Sequence, residues 1–479
     1  MKKNTKFIYC GLAFISLILI ILACIKVRFE NDTFYSIKIG EDILKYGIDF
    51  KDHYSWINNL SYTYPHWLFD IIVYLIYNNF SFNGIFAFTI LAYFLIGVSE
   101  YLCLKNISKN KLLSYTLTII TVILIRNNIT CRAQILTYIL TIIFYFSLLK
   151  LTKTNNKKYI IVLSLISCLI VNLHVAFWPF IFLLFLPFFA EKIIYKFFSK
   201  KIKIKKYIDK FKLKPLIISF ISCIFSGLIT PLKLIPYTYL YNTIKGASQS
   251  YIAEHLPIVL WNNKLLLIYI FLIIIILHNK KIKLNDLFLI CGLLIMMLSS
   301  IRHTALFVIL IPFVIVKYYK IPDSILKEKK NYLNPIILLS ILSIFVYFPC
   351  IDLIKDKIKN DDYLSGYPVN AVKYIKQNID YKNIKILNEY NYGSYLLFNN
   401  LKVMFDSRAD LYTKEFNKKY EYFTEFMEIN IINYEDIIKK YNINYALIYK
   451  SSSLNSVMKH NYTYEEIYSD KDFILYKTL

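Results

Sequence analysis

KVRFENDTFYSIKIGEDILKYGIDFKDHYSWINNLSYTYPH, residues 26–66, is the stretch whose reading decides the fold. An apolar run, FIYCGLAFISLILIILACI at residues 7–25, precedes it, and a series of Ile- and Leu-rich runs follows. The stretch gathers Glu30, Asp32, Glu41, Asp42, Asp49, Asp52, His53 and His66 between segments that carry little charge. Such a segment between two apolar runs is a loop outside a membrane, provided that the runs are spans. Residues 7–25 reach the length needed to cross a bilayer. Basic residues precede that apolar core, as in a signal peptide. The core is long, no small-x-small cleavage site follows it, and further spans come after it, so it is read as a retained anchor.

Working outward, the whole chain is apolar: 479 residues with 57% hydrophobic residues and positive mean hydropathy. A net charge of +25 invites a nucleic-acid reading, but its distribution argues against one. From residue 352 to 479 there are 18 basic and 18 acidic residues, so the tail is balanced. The excess clusters in alternate connections: Lys2, Lys3 and Lys6; Lys105, Lys109 and Lys111; Lys150, Lys153, Lys157 and Lys158; the run from 192 to 214; Lys280, Lys281 and Lys283; Lys327, Lys329 and Lys330. That alternation is the positive-inside pattern of a multi-pass membrane protein. All eight cysteines lie in or beside apolar segments with no CxxC spacing, which excludes a zinc ribbon and points to apolar packing.

With the N-terminus cytoplasmic, residues 26–66 emerge outside. The run WLFDIIVYLIYNNF, 67–80, is short and carries Asp70, which predicts an interfacial helix. Spans are then expected at 84–104, 112–125, 135–149, 159–171, 175–195, 215–229, 265–278, 287–300, 304–319 and 335–351. With the first, these make roughly eleven spans and leave the C-terminal tail outside. The expected organisation is thus a membrane domain over 1–351 and an extracytoplasmic domain over 352–479. In the tail, 368–379 and 434–443 read as helices; 383–390, 394–400 and 444–450 read as strands, and 401–412 as a strand ending in a polar loop; 463–479 reads as a hairpin around Asp470. Helices alternating with strands predict a small α/β domain. It has no GxGxxG or Walker sequence and no defensible Ser/His/Asp set, so nucleotide chemistry is not expected there.

The topology also sorts the polar side chains. Lysines dominate the inward connections, whereas Asp32, Asp52, His53, His66, Asp70, Arg126, Arg132, Gln134, Asn172, His174, Glu254, His255, Arg302 and His303 collect on the outward side. Ionisable groups at membrane depth are costly and face a cavity or a partner. One outward polar cavity is the economical expectation.

These residues sit in motifs that resemble the C-type (GT-C) superfamily of membrane glycosyltransferases, with the likeness nearest to a bacterial branch. The carriers are DTFYSIKIG (32–40), Gly47, DHYS (52–55), HWLFD (66–70), RAQ (132–134), NLH (172–174), EHLP (254–257) and IRH (301–303). In the tail they are EYNYGSYLLF (389–398) and FDSRADLY (405–412). The chain departs from the branch at Ser36, where His is frequent, at His255, where Trp is, and at Asp70, where Glu is. The resemblance implies a GT-C-like polytopic α-helical fold and transfer of a sugar from a polyprenyl-phosphate donor. The acceptor would be an extracytoplasmic glycan, lipid or protein, and an acidic residue of the first outer loop would do the chemistry.

That chemistry needs a base for the acceptor hydroxyl and charge stabilisation for the departing phosphate. Asp32 is the expected catalytic carboxylate, as base or metal ligand, and Asp52 is second, although DxxS equally fits an N-cap or turn lock. Arg132 and Arg302 are expected to grip phosphate oxygens in two-point fashion, with His303 beside them; interfacial snorkelling is the plainer account of any single arginine. His174 is either a helix-end residue or an acceptor-site group. Glu254 with His255 is either a carboxylate–imidazole set or a solvated loop. A divalent metal on Asp32, Asp52 and His53 has no diagnostic spacing and stays unassigned. Glu30, Glu41, Asp42 and Asp49 are expected to be solvated, Asp406 and Arg408 to form a surface ion pair, and Gly393 to mark a tight turn. Two other classes stay open at this point: a lipid-linked glycan transporter or flippase, and a non-catalytic scaffold of the cell envelope. The transporter calls for internal repeats and charged span interiors, neither of which the sequence has.

Overall fold

The computed structural model describes residues 3–26, 28–108, 110–198, 204–279, 281–319 and 362–479. The expected span 335–351 and the expected boundary at 351/352 lie outside the described residues. The chain divides into two compact units. The first comprises Met1–Val27, Phe86–Thr230 and Ala253–Asp361; the second comprises Arg28–Ile85, Pro231–Ile252 and Asp362–Leu479.

The first unit is helical. Its helices Lys3–Cys24, Lys111–Ile125, Gln134–Thr154, Lys158–Leu173, Leu213–Ser226, Leu267–Asn279, Leu284–Ser299 and Thr304–Tyr318 fall on the apolar runs expected from the sequence. Thr304–Tyr318 is the core element, buried at every position from Thr304 to Val316. A helix apolar on all sides must be surrounded, and Lys111–Ile125, Gln134–Thr154, Leu267–Asn279 and Leu284–Ser299 pack on it. Hydroxyls join neighbouring helices: Ser167 and Ser226 are 2.7 Å apart, and the Trp178 indole donates to Ser167 at 2.9 Å. Among the described residues, Trp67–Ser108, Gln134–Thr154 and Ile301–Tyr318 are long and apolar enough to cross a membrane by length and composition. Several other apolar helices are shorter.

One expected span needs correction. The span 175–195 is interrupted: the chain leaves the helix at His174, turns through Pro179, and re-forms helix at Phe180–Leu183 and Leu186–Phe198. Pro179 and Pro187 lack the donor that would continue the ladder. Residues 67–80 are helical as expected. They open the run Trp67–Ser108, and a non-helical Ser81 at φ 55° separates them from the apolar helix expected from residue 84.

In the second unit, the expected loop at 26–66 is helical in part. Asn31–Tyr46 is helical and packs against the helix Tyr390–Phe398. Phe34 is fully buried among Phe82, Tyr367, Tyr395 and Phe398. Residues after Gly47 run extended, with bridges from Lys51 to Ser61 and from Ser55 to Val403. The sheet has four strands, β1 (Ile386–Leu387), β2 (Tyr445–Tyr449), β3 (Tyr464–Ser469) and β4 (Phe473–Thr478), in the order β1-β2-β4-β3. β1 runs parallel to β2, and the other pairs are antiparallel. The hairpin around Asp470 and the helices Val369–Asn378 and Tyr434–Tyr441 are as expected.

The strand expected at 394–400 is instead the helix Tyr390–Phe398, with Gly393 inside it. A Cβ on Gly393 would stand 2.1 Å from the Phe405 carbonyl oxygen, so this glycine serves a close approach rather than a turn. The strand expected at 401–412 shrinks to bridges at Val403 followed by a short turn of helix at Ala409–Tyr412. Asp406 pulls the chain out of extended form by accepting from the Arg408 backbone at 2.9 Å.

Candidate functional site

Polar side chains gather in both units. In the first unit, Arg132 lies in the turn before Gln134–Thr154, and its Nη1 reaches Glu254 Oε1 at 2.6 Å. Glu254 belongs to the short helical turn Ala253–His255. That turn is stapled to the segment opening Thr304–Tyr318: Ser300 Oγ donates to the Glu254 carbonyl at 3.0 Å, and the Ile301 amide donates to Leu256 at 2.9 Å. The stapling brings Arg302 and His303, on the turn Ile301–His303, into the same cluster. The His303 ring lies 5.1 Å from Phe180, and its Nδ1 is 3.3 Å from the Met296 carbonyl.

The electrostatics of this cluster follow from two guanidiniums beside one carboxylate. Burial alone would raise the Glu254 carboxyl, but Arg132 and Arg302 together hold it below the usual carboxylate value. For His255, burial and then Arg302 push the imidazole down to about 4, so it is neutral near pH 7. The cluster thus sets the guanidiniums of Arg132 and Arg302 beside the carboxylate of Glu254. His174, buried just after Lys158–Leu173, caps that helix through its amide to Ile170 at 2.8 Å. Its ring stacks 5.8 Å from Phe177.

In the second unit, Asp32 is in the first turn of Asn31–Tyr46, where the helix dipole favours a carboxylate. Asn31 beside it donates to the Tyr390 carbonyl at 2.7 Å and fixes the helix start. Asp70 is fully buried, with Ser36 and Asp32 as its polar neighbours. The helix lies so close that a Cβ on Gly40 would be 2.0 Å from the Asp70 carbonyl oxygen.

Asp52 is also buried, and its oxygens are engaged. Oδ1 accepts from Arg408 Nη1 at 2.7 Å and from the Tyr54 amide at 3.3 Å; Oδ2 accepts from the Ser55 amide at 2.8 Å. The same guanidinium donates to Asp406 at 2.9 and 2.8 Å, and Tyr412 donates to Asp406 at 2.7 Å. Tyr62 and Tyr54 flank it at 5.1 and 5.6 Å. The Asp406–Arg408 pair expected at the surface is thus the centre of a buried triad, with 0% and 2% side-chain exposure. Burial works against the guanidinium's charge, and the two carboxylates outweigh it, holding its pKa well above the ordinary value.

The carboxylates expected to be solvated divide. Asp42 is half-buried and accepts from Tyr54, and burial raises its carboxyl. Glu41 bonds Lys38 at 2.6 Å and Lys45 at 2.5 Å. Asp49 takes His53 at 2.7 Å and Tyr64 at 2.9 Å, so His53 is turned toward Asp49. Among the described residues, no three His, Cys, Asp or Glu side chains converge as metal ligands. The sequence reading missed Arg408 as the partner of Asp52. It also missed a buried pair at Asp286, which bonds Lys317 at 2.6 Å and Tyr318 at 2.8 Å.

Comparison with protein-family models and with curated proteins gives no match. Solved structures do match along nearly the whole chain. The apo oligosaccharyltransferase of Archaeoglobus fulgidus aligns with a TM-score of 0.63 at 11% identity, over 93% of this chain and 70% of that one. AglB from the same organism, in complex with an inhibitory peptide and a dolichol-phosphate, aligns at 0.59 and 9% identity, over 94% and 70%. ArnT from Cupriavidus metallidurans, bound to undecaprenyl phosphate, aligns at 0.56 and 7% identity, over 99% and 98%. These are GT-C glycosyltransferases. The chain has the GT-C fold. At 7 to 11% identity the likeness is one of fold, and it spans both units of the chain.

Proposed function

We propose that this GT-C chain moves a sugar from a polyprenyl-phosphate-linked donor to an extracytoplasmic glycan, lipid or protein. The observation that carries the reading is the match, over nearly the whole chain, to proteins captured with dolichol-phosphate or undecaprenyl phosphate. The Arg132–Glu254–Arg302 cluster supports it: a phosphate leaving group needs two-point donors, and guanidiniums supply them. Neutral His255 and His303 beside them could donate or accept a hydrogen bond without adding charge. Asp32 is assigned the base that takes the acceptor hydroxyl's proton as the oxygen attacks the anomeric carbon and the phosphate departs. Asp52, saturated by Arg408 and two amides, is assigned the turn lock instead. The topology in this reading has about eleven spans, a cytoplasmic N-terminus and an extracytoplasmic C-terminal domain, as the lysine clusters indicate.

The test is transfer of labelled sugar from a panel of polyprenyl-phosphate sugars in proteoliposomes with envelope glycans, lipids and peptides as acceptors. Donor-dependent label in an acceptor is expected. Movement of intact lipid-linked sugar across the bilayer without transfer would replace this reading with a flippase. Inertness toward every donor in both assays would leave the scaffold.

A further inference from the structure

The helix Ile235–Lys245 belongs to the second unit, and the proposed chemistry does not use it. One side is fixed to its unit: Pro236, Tyr239 and Thr243 are buried, Tyr239 donates to Asp410, and its ring lies 5.1 Å from Phe416. The other side is a stripe of Leu234, Tyr237, Tyr241 and Ile244, exposed by 65, 40, 61 and 63%. That spacing of three and four residues is one face of a helix. A soluble surface helix would present this stripe to its core and polar groups to water; here the arrangement is reversed.

The flanks say what covers the stripe. Lys233 and Lys245 border it at either end, with the Lys245 ammonium 4.3 Å above the Tyr241 ring and Lys233 4.9 Å from Phe50. The whole segment Pro231–Ile252 contains no Asp or Glu. It follows the apolar helix Leu213–Ser226 by only a few residues of chain. Tyrosines, aliphatic side chains and flanking lysines without acids are the composition of a helix in a bilayer interface. We propose that Ile235–Lys245 lies in the interface of an anionic membrane. Leu234, Tyr237, Tyr241 and Ile244 dip toward the acyl chains, and Lys233 and Lys245 reach lipid phosphates.

The experiment uses the full chain in nanodiscs of mixed phosphatidylcholine and phosphatidylglycerol, with Tyr241→Trp and, independently, Ile244→Trp. The added indole emission is the difference from the parent chain. Lipids brominated near the headgroup are expected to quench about half of it or more, whereas acrylamide in the water quenches little. Lys233→Gln with Lys245→Gln in the Tyr241→Trp chain is expected to reduce that quenching about twofold in the anionic discs and leave it unchanged in pure phosphatidylcholine. Acrylamide quenching without bromolipid quenching in both tryptophan variants would place the face in water. Emission quenched by neither agent would mean that a protein surface, such as a second copy, covers it. Either result overturns the proposal, and neither bears on sugar transfer.

Discussion

Arg408 donates from Nη1 to Asp52 Oδ1 at 2.7 Å across 356 residues of sequence. The same guanidinium grips Asp406 with its other two nitrogens, so one buried cation ties the extended segment after Gly47 to the C-terminal sheet domain. Removing one member of such a set strands buried charge, which costs about 3–5 kcal/mol. Arg408→Leu is therefore expected to lower the unfolding temperature of the purified chain markedly. Asp52→Asn keeps an acceptor for Arg408 and is expected to cost less. Arg408→Lys fills the space but offers a point charge to two carboxylates and should fall near the leucine variant. Equal unfolding temperatures for all three and the parent would show that the triad does not hold the segment.

Gly393 makes a second, steric claim. Besides the Phe405 carbonyl, a Cβ there would meet the Asp406 Cα at 2.9 Å, and neither backbone atom can swing aside. Gly393→Ala should destabilise by roughly 1–3 kcal/mol, as overpacking does, and Gly393→Val by more. Because the displaced segment carries Asp406, these variants should also expose the Arg408 triad, read as faster hydrogen exchange at Asp406–Arg408. An alanine variant as stable as the parent would contradict the close approach.

His255 gives a pH dependence of definite sign. Its ordinary value is 6.5, and burial with Arg302 brings it to about 4 in the fold. Between those values the unfolded chain binds a proton that the folded chain refuses. Stability should thus fall as pH drops from 6.5 toward 4 and change no further from this group below that. The loss from this group is at most ~3 kcal/mol. Glu254 acts in a lower window: its carboxyl is depressed, so its contribution is present above 4.5 and is lost as pH falls below that. Unfolding temperatures measured from pH 7.5 to 4.5 should show the parent losing stability relative to His255→Gln toward the acid end. Parallel curves would remove His255 as the titrating group.

The sequence made some of this legible and hid the rest for physical reasons. Helices such as Gln134–Thr154 and Thr304–Tyr318 read directly because they are apolar on every side, though length alone does not say which cross a bilayer. The hairpin of β3 and β4 was legible from its turn at Asp470, which accepts from the amides of Asp472 and Phe473. Asn31–Tyr46 was not read as a helix, because from Thr33 to Ile43 it buries most of its positions and leaves no clean polar face. Its acidity, with Asp32, Glu41 and Asp42, imitates a loop. Tyr390–Phe398 was mistaken for strand because β-favouring aromatics and a central glycine outweighed its helix contacts. In the candidate site, the residue types were visible and their partners were not. Nothing near Asp52 in sequence announces Arg408, and nothing in EHLP or RAQ announces that Glu254 meets Arg132.

The proposed chemistry stands or falls on Asp32, Arg132 and Arg302. Asp32→Asn keeps the size and the helix-start geometry of the side chain but cannot take a proton, so sugar transfer should fall by about 10²-fold or more. Membrane insertion and unfolding temperature should stay close to the parent, because Asp32 is part-exposed in a first helical turn rather than in the buried triad. Arg302→Gln and Arg132→Gln should weaken donor use instead, raising the concentration of lipid-linked sugar needed. Arg302→Lys should recover only part of the loss, since a lysine cannot present two parallel donors. Undiminished transfer by Asp32→Asn in a chain that transfers sugar would move the base elsewhere. An arginine variant that lost transfer at every donor concentration while remaining folded would move that arginine from phosphate binding to the chemical step.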